Sequence, residues 1–146
     1  MELSDPVLLD AFKEILKENN IKITPQRTII YKELLNSKDH PYADIVFKRV
    51  KETFPNISYD TVNRTLLTFS KIGIVDIVEG WGEPKRFDTN TKKHHHFRCL
   101  NCNTIIDLYE GSFDNLKIPD GVKKKFKVLK SKVLLEGICN ECGIKI

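Results

Sequence analysis

No apolar stretch of this chain approaches the roughly 20 residues of a membrane-spanning helix, so no partnership with a membrane is expected. The opening segment, MELSDPVLLDAFKEILKENN, has no basic region ahead of an apolar one. It breaks its apolar residues with Asp10, Lys13 and Glu14, unlike a secretory signal, and a cytoplasmic location is the expectation. Internal repeats and low-complexity tracts are missing as well. Charge is not lopsided either, since 24 Lys and Arg against 20 Asp and Glu leave +4. Its distribution does not single out a nucleic-acid-binding half: residues 1–90 carry 13 basic and 14 acidic side chains, residues 91–146 carry 11 and 6. A length of 146 residues corresponds to one medium domain or two small ones.

There are only four cysteines, and without an export signal they read as metal ligands or free thiols rather than disulfides. They form two pairs, Cys99-x-x-Cys102 and Cys139-x-x-Cys142. Two such knuckles bring four thiolates to the corners of a tetrahedron, the geometry of a structural Zn²⁺ site. The competing readings are two redox pairs or an iron–sulfur centre. A redox pair usually opens a helix after a strand, whereas these pairs are expected in turns and near the end of the chain, which favours zinc.

The first half reads as helices. Leu8, Leu9, Phe12, Ile15 and Leu16 follow Pro6 at helical spacing, behind Ser4 and Asp5, and the pattern fades at Asn19 and Asn20. Thr24 and Pro25 open a second helix. A third is expected from about Tyr42 to Phe54, stopped by Pro55. Ser58 caps a fourth carrying Val62, Leu66, Phe69 and Ile72, closed by Gly73 at C′. Ile74–Val78 and Arg86–Phe87 then read as a hairpin around turn residues Glu79–Gly82. Helices followed by a two-stranded hairpin make the pattern of a winged helix-turn-helix, with a generic helical bundle plus hairpin as the alternative.

From about Thr91 the chain is mostly strand. His95–Leu100 and Thr104–Tyr109 flank the first knuckle, and Lys127–Glu136 alternates imperfectly. Between them lies room for a short helix near Phe113–Leu116, with Lys123–Lys125 expected as a solvated turn. The expected division is residues 1–87, a hinge at 88–93, and 94–146. On a strand His94 and His96 share one face while His95 points the other way, and counting outward from the knuckle sets His96 opposite Asp107. Two imidazoles and a carboxylate suit Fe²⁺, Mn²⁺ or Zn²⁺, although a solvated polar strand is the plain alternative.

Ile23-Thr-Pro-Gln-Arg27, His40-Pro41, Ser58-x-x-Thr61-Val62-x-x-x-Leu66, Gly73-x-Val75, Arg86-Phe87-Asp88, the His94–His96 run and the two cysteine pairs occur in one order across almost the whole chain. In that order and spacing the sequence resembles the ferric uptake regulator (Fur) family. The resemblance implies an α+β fold with an N-terminal winged helix and a small C-terminal α/β dimerisation domain holding a four-cysteine zinc site. It implies a homodimeric, metal-dependent repressor of a palindromic, AT-rich operator, with a regulatory Fe²⁺ or Mn²⁺ held by His40, Asp88, His94, His96 and Asp107. Aspartates at both carboxylate positions resemble the peroxide-sensing branch, in which iron-dependent oxidation strikes a ligand histidine, here His40 or His94. An iron-uptake or other metal-homeostasis repressor is the alternative within the family. DNA contacts are expected from Ser58, Tyr59, Thr61, Asn63 and Arg64.

The chain also departs from the family pattern. Asn63 stands where a DNA-contacting tyrosine is common, which transfers a base contact to an amide able to pair with adenine or removes it. Lys93 and Ser131 stand where a second metal site of some iron sensors needs histidines, so no second regulatory site is expected. A zinc hydrolase using the histidine cluster would need a nucleophile motif or an unassigned acid, and the sequence supplies neither. No enzyme and no small organic substrate are expected, and a zinc-ribbon interaction module without DNA binding is the remaining alternative.

Overall fold

The computed structural model describes residues 6–37, 39–78 and 84–143. It divides into two compact units, Met1–Thr91 and Lys92–Ile146. In the first, four helices lead into a two-stranded sheet: α1 (Pro6–Glu18), α2 (Pro25–Asn36), α3 (Ala43–Lys51), α4 (Tyr59–Lys71), β1 (Asp76–Val78) and β2 (Arg86–Asp88). Their ends are set by local chemistry. Thr24 caps α2 by accepting from the Arg27 amide, and Ser58 caps α4 by accepting from the Thr61 amide. At the far end of α4, Gly73 takes φ +86°, the Gly73 amide donates to Ser70, and the Ile74 amide donates to Phe69. That is the paired bonding of a Schellman cap, and a residue with a β-carbon would be strained there. Asn20, at φ 57°, closes α1 in the same way, with Ile21 donating back to Leu16.

The apolar stripes of these helices meet in one core. Phe12 stacks on Tyr31 at 4.3 Å between ring centroids, and Phe69 meets both rings edge-on at 5.5 and 6.0 Å. Val46, Val50, Val62 and Leu66 pack around them. In β1–β2, Asp76 lies opposite Asp88, Ile77 opposite Phe87 and Val78 opposite Arg86, and Phe87 enters the core. Two expectations shift here. The third helix stops at Lys51, and the chain reaches Pro55 through turn bonds from the Thr53 and Phe54 amides to Val50. The strand begins at Asp76 rather than Ile74: the Ile74 amide is used in the Schellman turn, and Ile74 and Val75 are buried in the core cluster. The turn at Glu79–Gly82 and the residues Ser4 and Asp5 lie outside the described residues.

The second unit comprises β3 (His95–Cys99), β4 (Ile105–Leu108), α5 (Gly111–Asp114), α6 (Asp120–Lys125), β5 (Leu134–Gly137) and α7 (Asn140–Gly143). Its sheet runs β4–β3–β5, with β4 antiparallel and β5 parallel to β3. The lysines expected in a turn form the last turn of α6. Pro119 precedes that helix, Asp120 lies in its first turn, and the three lysines face the negative end of its dipole, so the start and stop signals were both present. Of the alternating segment Lys127–Glu136 only the last three residues become strand, and β5 runs one residue further, to Gly137. The second cysteine pair opens a helical turn after a strand, contrary to the expectation that argued against redox chemistry; the arrangement of the four sulfurs has to decide instead.

Candidate metal centres and recognition helix

The first knuckle turns at Asn103, φ 60°, between reciprocal bonds: Asn103 donates to the Cys99 carbonyl, and Cys99 donates to that of Thr104. The second is brought alongside by parallel pairing, in which Cys99 faces Gly137 and the Leu100 amide donates to the Gly137 carbonyl at 2.7 Å. One ligand sulfur from each of the four cysteines then lies within 4.8 Å of the others, with Cys102 and Cys139 Sγ 3.8 Å apart. A tetrahedron with zinc–sulfur bonds of about 2.3 Å has sulfur–sulfur edges of about 3.8 Å, so the cluster fits that ion. Cys99 is fully buried, and its Sγ accepts from the amides of Cys102 at 3.5 Å and Cys139 at 3.4 Å. These amide bonds bring its pKa down to about 6 and favour the thiolate a metal needs. Asn101 also favours the thiolate of Cys142, but Cys139, burial and the other two sulfurs outweigh it and push that thiol up to about 11. Four thiols so close resist joint ionisation until a cation compensates them.

The histidine run divides as its alternation predicts. His94 and His96 lie on one face with ring centroids 4.6 Å apart, and their Nε2 atoms stand 3.6 and 3.3 Å from the same Asp107 oxygen. The strand register sets His96 opposite Asp107. His94 Nδ1 is 2.6 Å from the Lys92 carbonyl, a partner that requires Nδ1 to carry the proton and puts the lone pair on Nε2. His95 is committed elsewhere. The Val133 amide donates to its Nδ1 at 3.0 Å, and its Nε2–H donates to Asp114 at 2.7 Å, so both ring nitrogens are used in tying β3 to β5 and α5.

In the first unit, His40 Nε2 stands 3.3 Å from an oxygen of Asp88, and both side chains are largely buried. His40 has φ +50°, a left-handed conformation that histidine tolerates better than most residues but still at a cost of about 1–3 kcal/mol. Asp88 also accepts from the Asn90 amide at 2.9 Å, which orients its carboxylate. Each unit therefore holds part of a His/Asp donor set whose chemistry suits Fe²⁺, Mn²⁺ or Zn²⁺.

Of the residues expected at DNA, Ser58 is the cap of α4, its hydroxyl accepting from the Thr61 amide and donating to the Thr61 hydroxyl. Tyr59 is exposed and set edge-on to Phe47 at 5.8 Å. Asn63 lines a cleft of about 420 Å³ together with Tyr42, Asp44, Tyr59, Lys85 and Phe87. Arg64 is exposed, with Nε 3.0 Å from Asp60. Sequence reasoning missed the structural role of Arg49, whose guanidinium donates to Ser37 and Asp39 in the loop before His40. It also missed that of Arg86, whose place in a motif carried no role.

A winged helix followed by a sheet-based unit with a cysteine cluster and a His/Asp site defines a class of metal-binding regulator. The chain belongs to the ferric uptake regulator family, whose model matches residues 18–136. It is 36% identical over 132 residues to the peroxide operon regulator of Bacillus subtilis, covering 90% of this chain and 91% of that protein. It is 34% identical over 127 residues to the peroxide-responsive repressor PerR of Staphylococcus epidermidis, covering 87% and 85%. Among solved structures, the Helicobacter pylori ferric uptake regulator Fur superposes with a TM-score of 0.78 at 22% identity, over 98% of this chain and 95% of that one. The Streptococcus pyogenes PerR gives 0.54 at 25% identity, over 92% of each chain.

Proposed function

We propose that this chain is a homodimeric, metal-dependent DNA-binding repressor responsive to peroxide. The observation that carries the reading is the arrangement of the donor set: His94 and His96 converge on one Asp107 oxygen, and His40 meets Asp88. Relatives named for peroxide response support it over a metal-uptake role. In this reading Cys99, Cys102, Cys139 and Cys142 hold a structural Zn²⁺, and His40, Asp88, His94, His96 and Asp107 hold a regulatory Fe²⁺ or Mn²⁺. Residues 88–93 act as a hinge between residues 1–87 and 94–146.

Ferrous iron, when bound, supplies the reduction of peroxide whose oxidising equivalent falls on a neighbouring imidazole. The protein's part is to hold His40 and His94 as the oxidisable ligands and to draw donors from both units. A shared cation stabilises the unit arrangement that presents all the donors together, so occupancy shifts the population toward it. Loss of His40 or His94 to oxidation removes one donor and weakens that bias. In the dimer, two α4 helices enter successive major grooves of a palindromic, AT-rich operator. Ser58, Tyr59, Thr61, Asn63 and Arg64 supply the contacts, with Arg64 directed to guanine or phosphate and Asn63 to adenine.

The test is operator binding with Fe²⁺ or Mn²⁺ before and after peroxide, alongside mass spectrometry of peptides containing His40 and His94. Peroxide is expected to release DNA from the iron form alone and to add the mass of oxygen to one of those peptides. Peroxide-insensitive, metal-dependent binding would refute the sensor and leave a metal-homeostasis repressor. Binding that ignores metal would refute the regulatory site.

A further inference from the structure

Arg86 reaches the two peptide carbonyls that flank the His40 α-carbon. Its Nε donates to the His40 carbonyl and its Nη2 to the Asp39 carbonyl, each at 2.6 Å, and the side chain is buried. The guanidinium lies over the Tyr42 ring at 4.8 Å, Tyr42 bridges to Arg86 through the backbone, and the Phe87 amide donates to Pro41 at 3.1 Å. Strand β2 thus grips Asp39–Tyr42 and also supplies Asp88, two residues from Arg86 and on the same face.

We propose that Arg86 is a positioning residue for the cation site, a fork that holds His40 in its left-handed conformation and aims its Nε2 at Asp88. The proposal rests on the reading of His40 and Asp88 as cation ligands. A guanidinium is always charged and offers no lone pair, so Arg86 acts through His40 and not on the ion. Two donors at fixed spacing, one on each carbonyl, restrain φ and ψ of the residue between them. A lysine ammonium is a compact point charge on a flexible stem and does not reproduce that fork. Without the restraint, His40 relaxes toward ordinary backbone conformations and its imidazole leaves Asp88. The strand that carries one ligand therefore also orders the other.

The experiment measures Mn²⁺ affinity of the full-length, zinc-loaded protein by calorimetry, with the electron paramagnetic resonance signal of free Mn²⁺ as a second readout. Variants are Arg86→Lys, His40→Asn, which tolerates the left-handed backbone, and the double variant. Arg86→Lys is expected to weaken Mn²⁺ binding by about 10–100-fold, the usual effect of removing a group that orients a ligand. In the His40→Asn background the same change is expected to add less than about twofold, because the two act through one contact. Full affinity in Arg86→Lys, or independent multiplication of the two losses, would overturn the proposal. If Arg86→Lys does not fold, Tyr42→Leu, which removes the ring beneath the guanidinium, takes its place, and unchanged affinity there also overturns it. Unchanged affinity in His40→Asn alone would instead refute the assignment of His40 as a ligand.

Discussion

Removing zinc from this protein is expected to unfold the second unit and spare the first. The fifteen residues of the hydrophobic core cluster all belong to the first unit. Among the described residues of the second, the buried apolar side chains are Cys99 and Ile105, and the other buried groups are His94, His95, His96 and Arg98. Cys99 is itself a zinc ligand, so the apolar contribution is that of Ile105, about 1.5–3 kcal/mol. A structural zinc supplies about 10–16 kcal/mol of apparent folding free energy, so in this unit the metal outweighs the core. Hydrogen–deuterium exchange, with metal content measured in parallel, separates the units. On chelation, the amides of Cys99, Leu100 and Asn103, which bond across the knuckle and to β5, should lose protection. Amides within α2 and α4 should keep theirs, and the dimer should dissociate because its expected interface lies in the unfolded unit. Persistent protection of the knuckle amides in metal-free protein would refute the reasoning. So would equal loss in α4, which would show that the two units fold as one.

Ser58→Ala removes the side-chain acceptor for the Thr61 amide and should cost about 1 kcal/mol, seen as a fall of about 4–8 °C in the melting of the first unit. Phe69→Ala empties the centre of the aromatic trio and should cost about 3–5 kcal/mol by urea denaturation, with less than about 1 kcal/mol contradicting the packing described. Arg64→Ala should weaken operator binding while leaving zinc content and dimerisation intact. If the lost contact is to phosphate, the slope of affinity against salt falls by about one charge, and if it is to guanine, discrimination at one base pair relaxes by about 1–3 kcal/mol.

The parts of this protein legible in its sequence are those where side chains alone state the requirement. Thr24 and Ser58 announce helix starts because their oxygens replace missing backbone acceptors, and Gly73 announces an end because φ +86° strains any residue that carries a β-carbon. His94, His96 and Asp107 could be placed together by counting along two strands, because strand alternation has a period of two. Helix α6 escaped because three consecutive lysines carry no apolar periodicity, although their place at its C-terminal end is favourable. Strand β5 was overextended because its alternating segment pairs with β3 over four residues only, a limit set by where the second knuckle must sit beside the first. His40 could not be derived from spacing at all, since it lies 48 residues from Asp88 and comes beside it through the pairing of β2 with the Pro41–Tyr42 segment. Arg86 was the least legible of all. Its partners are backbone carbonyls, which every residue carries, so neither composition nor periodicity marks the two peptide groups it holds; only the fold reveals that they flank His40.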